Sequence, residues 1–211
     1  MEALFAARRQ GAIVVLVPRN LSFVRGGAWL PEIVVRTLAS SPAGRNCHFF
    51  LTGVPVNVYG GAGRYRRLFE QQLSSLSAEA RAHMHMLGGV PHAWMRAAYW
   101  ASDLVLVPTF AHEGTPLAAI EAMGAGRAVV ATNVGGLNDL VADHVTGLLA
   151  LPDPVALAAA VAELAKDPDL RARLGAEGSR RVRAMYTEER WRTEAQNFGR
   201  RAGWATGARG N

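Results

Sequence analysis

At 211 residues, half of them hydrophobic and 22 of them glycine, the chain is long enough for one well-cored domain, which excludes a disordered or fibrous protein. Its net charge of +6 rests almost wholly on arginine, scattered rather than interleaved with aromatic residues, which argues against a nucleic-acid partner. Cys47 is the single cysteine, so an internal disulfide and a cysteine metal cluster are excluded.

The opening MEALFAARRQGAIVVLV has an acid near its start and an apolar run too short for a signal peptide or a membrane span, so a cytoplasmic setting is expected. The first strand is predicted at residues 12–17, and the loop 19–27 leads to a helix at 31–39. A second strand at 48–52 ends at Gly53; the segment VPVNVYGGAG follows, then a helix over 64–76 with a further turn to 82 allowed. A third strand at 83–87 passes through Gly88 into a helix over 91–101. The fourth strand, Leu104–Val107, leads through the loop 108–116 to a helix over 116–125. A fifth strand at 128–131, a short helix at 137–142 and a sixth strand at 147–151 complete the alternation.

Such alternation predicts a three-layer α/β/α fold with a six-stranded parallel sheet covered by helices on both faces. Sheets of this kind hold ligands outside the carboxyl ends of their strands, where the strand order reverses. Each candidate loop follows a strand, so the loops gather on one rim. Beyond Asp153 only helices are predicted: Pro154–Lys166, Pro168–Met185 and Glu188–Arg201. The domain therefore runs over 1–187, with a separate helix at 188–202 and a loose tail at 203–211. Arginine is enriched from Arg171 onward, which reads first as a solvated helical surface and second as a weak attraction to an anionic membrane face.

Residues 113–136, EGTPLAAIEAMGAGRAVVATNVGG, carry the most chemistry. Glu113 and Glu121 are separated by seven residues around a Gly-Thr-Pro turn. Thr115 is expected to cap a helix whose first residue is Pro116, leaving backbone N–H groups that attract phosphate. Glu121 falls in the second turn, among apolar neighbours, where a carboxylate needs hydrogen-bond donors such as vicinal sugar hydroxyls. In PRNLSFVRGG, Arg19 and Arg25 lie on the same rim beside glycines, and the planar guanidinium fork suits a diphosphate.

Other chemistries are disfavoured. GGAG lies too late in its loop for a dinucleotide fingerprint, and a Walker A sequence and a nucleophile elbow are both absent. The six histidines form no HExxH, and His83 with His85 is a weak pair, so no metal is expected. His112, beside Glu113, reads as a loop-packing residue at least as well as a site residue. Trp94, Tyr99 and Trp100 fall at helical spacing and are expected in the core, while Trp191 and Phe198 form a docking stripe on the last helix.

The stretch EGTPLAAIEAMGAGRAVVATNVGGLNDLVADHVTGLLA resembles the signature of group 1 (family 4) retaining glycosyltransferases of GT-B architecture. PRNLSFVRGG is similar to the family's diphosphate loop, HFFLTG to its second strand, and residues 103–108 to its strand ending in proline. The resemblance covers nearly the whole chain but only the second, Rossmann-like, donor-binding domain of such enzymes. It implies that Glu113 contacts the donor sugar, that Gly114, Thr115, Pro116 and Leu117 face sugar and phosphates, and that Glu121 binds the ribose. Arg19 and Arg25 would neutralise the diphosphate leaving group without a metal or other cofactor, Arg25 standing where the family more often has lysine. Arg127 and Gly124 also depart from the family's usual proline and alanine, affecting packing more than chemistry. Gly53 would allow close approach, and Gly88 and Val90 would meet the base through backbone atoms.

The implied reaction is transfer of a glycosyl group from a nucleoside-diphosphate sugar to a hydroxyl acceptor with retention of configuration. An acceptor domain has no counterpart in these 211 residues. The expected partners are therefore a nucleotide-sugar donor and a separate acceptor-binding domain or a second copy, with peripheral contact at the inner membrane face a further expectation. The alternative is a non-catalytic nucleotide-sugar-binding module or a truncated, inactive enzyme.

Overall fold

A computed structural model describes residues 1–54, 62–111 and 113–202, with 62–64 described by backbone alone. The VPVNVYGGAG segment after Val54, His112 and the tail 203–211 therefore lie outside the described residues, wholly or in large part. Six strands form one sheet: β1 (Ile13–Val17), β2 (Cys47–Leu51), β3 (Met84–Met86), β4 (Leu104–Val107), β5 (Ala128–Thr132) and β6 (Leu148–Ala150). Their order is β3-β2-β1-β4-β5-β6 and every pairing is parallel, as the alternating pattern predicts. The chain reverses its direction of travel across the sheet between β1 and β4, where Val15 pairs with Leu104.

The strands are apolar at nearly every position because both faces are covered. Val15, Val17, Phe49, Leu51, Leu104, Leu106 and Val130 point into one layer; Val14, Leu16, Phe50, Val105, Val107, Val129 and Ala131 point into the other. Helices α2 (Leu30–Ser40), α4 (Ala62–Ser75), α5 (Ala78–Ala82) and α9 (Pro154–Lys166) close the first layer, and α3 (Pro42–Arg45) packs on α2 and α9. Helices α1 (Glu2–Arg9), α6 (His92–Ala101), α7 (Leu117–Gly124) and α8 (Gly136–Leu140) close the second. Helix α10 (Pro168–Met185) serves both, burying Leu174 in one and Val182 in the other. The last two strands of the body's edges, β3 and β6, are three residues each, short enough to limit edge pairing.

Helix starts follow from local chemistry. Asp153 accepts hydrogen bonds from the amides of Val155 and Ala156, and Asp167 accepts one from Leu170; in each case proline occupies the first turn. Ser77 caps the amide of Ala80, so the predicted continuation to 82 is a separate helix, α5. Helices α1 and α3 were not predicted, and α8 ends at Leu140 because Val141 is extended. Helix α11 (Glu188–Arg201) starts at a Thr187 cap and lies exposed along most of its length, with Gly199 buried.

The aromatic expectation for α6 is corrected. Tyr99 is buried, but Trp94 and Trp100 are about half exposed. Ala98 and Ala101 allow the helix to approach the sheet beside buried Tyr99, and the indoles turn outward, with the Arg96 guanidinium 4.3 Å from the Trp100 ring centroid. Trp191 and Phe198 are exposed on α11.

His48 on β2 meets the two histidines of the third strand region. Its Nδ1 lies 2.9 Å from His85 Nε2, while His83 Nδ1 lies 2.9 Å from the Cys47 carbonyl. Half-burial and the neighbouring imidazoles push His48 down from 6.5 to about 4, and the same causes lower His85. The unfolded chain takes up a proton near pH 6.5 that the folded chain refuses until about 4. The stability contributed here is therefore complete above pH 6.5 and is lost as pH falls towards 4. Urea unfolding at pH 7 and pH 5 should show a loss of roughly 1–2 kcal/mol after solvent screening, and His48→Gln should flatten that slope. An equally steep loss in the variant would remove His48 from the explanation.

Candidate functional site

The loops after β1 and β4 emerge side by side at the reversal point. Gly26 has φ +70°, and a Cβ there would sit 1.7 Å from the Pro108 carbonyl oxygen, so glycine alone permits this approach. Gly53 is similarly tight: its Cβ would lie 2.0 Å from the Arg19 carbonyl oxygen. Hydrogen bonds from the amide of Leu21 to Val54 O and from the amide of Phe110 to Val24 O fasten the β1 loop to both neighbours.

This frame buries an ion pair. Arg19 Nη1 lies 2.7 Å from Glu113 Oε2, with both side chains almost fully enclosed. Thr109 Oγ1 accepts from Arg19 Nη1 at 3.0 Å and donates to Glu113 Oε2 at 2.9 Å. Thr132 in turn donates to the Thr109 carbonyl at 2.6 Å. Arg25 Nη1 approaches the same Glu113 oxygen at 3.7 Å from a side chain 42% exposed. Two guanidinium groups face one carboxylate, leaving a net positive charge with its more mobile member at the surface. The centre can thus receive an anion through Arg25 while Arg19 and Glu113 hold each other in place.

Glu113 is also held by its backbone, since the amide of Gly136 donates to its carbonyl at 2.8 Å. The turn that follows differs from expectation. Helix α7 begins at Leu117, with Pro116 as the residue before it, and the Thr115 side chain makes no capping bond. Pro116 has φ −81° and ψ 72°, and the amide of Leu117 donates to Thr115 O at 2.9 Å, an inverse γ-turn whose φ lies within the range the proline ring allows. Gly114, Thr115 and Leu117 are consequently exposed on the rim, and Pro116 is buried beneath them.

Glu121 is satisfied within the protein, contrary to the expected lack of donors. Tyr99 Oη donates to its Oε2 at 2.8 Å, and His92 Nε2 lies 3.4 Å from Oε1; the Glu121 side chain is 39% exposed. It therefore faces α6, one turn and more away from the Arg19–Glu113 centre. Gly88 (φ +69°) and Val90 lie half-buried in the loop leading into α6, with the amide of Val90 pointing at Thr52 O at 3.4 Å. Arg19, Arg25, Glu113 and Gly53 are thus gathered in one centre, while Glu121 on α7 contacts α6, the helix that the loop of Gly88 and Val90 leads into. Thr109, Tyr99 and His92 were not singled out as site residues; Thr109, a polar residue two positions past the end of an apolar strand, gave the only local signal. Among the described residues, no group of three or more His, Cys, Asp or Glu could hold a metal ion, and no helix is long and apolar enough to cross a membrane.

Removing Glu113 leaves Arg19 buried without its counter-charge. Glu113→Ala should therefore cost about 3–5 kcal/mol in urea unfolding, against less than about 1 kcal/mol for Arg25→Ala. Similar losses in the two variants would refute the distinction between buried and half-exposed pairs.

A model of the family Glycosyl transferases group 1 matches residues 14–167. The chain is similar to the D-inositol 3-phosphate glycosyltransferase of Corynebacterium glutamicum (strain R), 32% identical over 159 residues that cover 74% of this chain and 36% of that protein. Among solved structures it is similar to Anabaena Alr3699/HepE in complex with UDP, at a TM-score of 0.78 and 22% identity over 94% of this chain and 53% of that one. It is also similar to the C-terminal domain of a glycosyl transferase group 1 family protein from Francisella tularensis, at a TM-score of 0.72 and 20% identity, covering 89% and 95%. The chain spans about a third of the length of the curated relative and about half that of the Anabaena protein. The family match runs from β1 through α9, across the reversal point and its two loops, and the chain belongs to the group 1 glycosyltransferases.

Proposed function

We propose that this chain is the donor-binding half of a retaining glycosyltransferase, taking a nucleoside-diphosphate sugar and passing its glycosyl group to a hydroxyl acceptor held by a domain outside it. The observation that carries this reading is the buried Arg19–Glu113 pair with half-exposed Arg25 at the reversal point of the sheet, where α/β proteins of this kind bind ligands. As the sugar–oxygen bond breaks, its electron pair passes to the diphosphate, and Arg25 with Arg19 stabilises the growing charge. The acceptor hydroxyl bonds to the same face of the sugar carbon and yields its proton to the departing phosphate. Glu113 orients the sugar, since its carboxylate is engaged by two guanidinium groups and does not serve as a nucleophile. Gly114, Thr115, Pro116 and Leu117 line the sugar and phosphate side, Gly53 brings β2 against the arginine loop, Glu121 takes the ribose hydroxyls, and Gly88 and Val90 offer backbone to the base. In this reading the guanidinium groups meet the diphosphate charge and no metal takes part.

Residues 1–187 form the donor domain and α11 crosses to the acceptor domain, a role supported by its exposure and its outward Trp191 and Phe198. A cytoplasmic location with peripheral contact to an anionic membrane face belongs to the same proposal, supported by exposed Arg173, Arg180 and Arg183 on α10.

Calorimetric titration with UDP, GDP and their sugars tests the donor site. Binding tighter than millimolar is expected for at least one, with Arg25→Ala and Glu121→Ala each weakening it about tenfold. Failure of all of these ligands to bind at millimolar concentration would sink the proposal, and unchanged affinity in both variants would sink the residue roles. Transfer by the 211-residue chain alone should be undetectable, and robust turnover without an added acceptor domain would overturn the half-enzyme reading.

A further inference from the structure

Glu121 projects from the second turn of α7, where a glutamate at 39% exposure would ordinarily sample several rotamers. Its Oε2 is instead taken by Tyr99, whose ring is 3% exposed and packed into the second core layer. The phenol is a dedicated donor: burial first, and then the bonded carboxylate, push its ionisation far above the usual tyrosine range, so it keeps its proton at any ordinary pH. His92 offers a second contact to Oε1, but its side chain is 90% exposed and the contact is long, so solvent competes with it.

We propose that Tyr99 is a positioning residue for the ribose of the donor. Its hydroxyl fixes one carboxylate oxygen of Glu121 from inside the protein, and the free lone pairs are thereby aimed outward at vicinal 2′- and 3′-hydroxyls. A carboxylate has about four acceptor sites, so one bond to Tyr99 leaves enough for both. The arrangement also joins two subsites mechanically. Helix α6 starts directly after the loop of Gly88 and Val90, so the element that presents backbone to the base holds the group that reads the sugar beside it. The inference rests on the reading of Glu121 as the ribose acceptor.

Calorimetry on the 211-residue chain with UDP and GDP, each paired with its 2′,3′-dideoxy counterpart, separates the two ideas. The native chain should prefer the ribonucleotide, and Tyr99→Phe should reduce that preference about 5- to 20-fold while leaving the dideoxy affinity unchanged. In a Glu121→Ala background, Tyr99→Phe should have no further effect on either ligand. Equal weakening of both ligands, or an undiminished preference, would show that Tyr99 serves only the core and would overturn the positioning role. A native chain that binds both ligands equally, with Glu121→Ala indifferent, would instead overturn the ribose reading and this inference with it. The same holds if neither diphosphate binds. Thermal unfolding of Tyr99→Phe confirms that the compared proteins are folded.

Discussion

A carboxylate and a guanidinium share an enclosed space between two loops, and the arrangement of the rim depends on their staying paired. Taking either charge out of water costs several kcal/mol, and the pair recovers this only with good geometry and further hydrogen bonds. Arg19 and Glu113 meet both conditions, because Thr109 bridges them and Thr132 fixes Thr109 from the neighbouring strand. The pair joins the segment after β1 to the segment after β4, elements adjacent in the sheet yet some ninety residues apart in sequence. A local arrangement of four side chains thereby sets the relation between the two halves of the doubly wound sheet.

The two acids of the motif differ in environment although they share a segment. Glu113 is enclosed, saturated by cations and tied through its backbone to Gly136. Glu121 is open to solvent on one side and held on the other by a neutral phenol. A carboxylate held by two cations has little freedom to turn, whereas one held by a single phenol keeps most of its acceptor capacity. Difference in neighbours, rather than in residue type, separates the two environments.

Strands and the covering layers were legible in the sequence because both faces of a parallel sheet are buried, so apolar runs such as Val14–Val17 and residues 104–107 stand out between polar loops. Glu113, Arg19 and Arg25 were legible as site candidates because charged residues among glycines at strand ends have few structural uses. Helix α1 was not, since its packing rests on little more than Leu4 and Ala7. Thr115 met the sequence rule for a cap, but the γ-turn at Pro116 satisfied the local backbone first. Tyr99 looked like core and is core; what the sequence concealed is that its hydroxyl reaches a residue 22 positions away. Trp94 and Trp100 misled because bulk suggests burial, whereas α6 needs alanines to lie close to the sheet.

The two glycine contacts of the β1 loop have a consequence for motion. With Gly26 against Pro108 and Gly53 against Arg19, the backbone carrying both arginines is packed closely on two sides, too closely for a side chain on either glycine. Change at this rim is therefore a matter of side-chain rotation, which at exposed positions proceeds in picoseconds to nanoseconds, far faster than a loop rearrangement. Arg25 is the part free to turn on that timescale, and Arg19 is not. In the proposed reading, an arriving anion would meet a frame already set, with one exposed cation in front and one enclosed cation behind it.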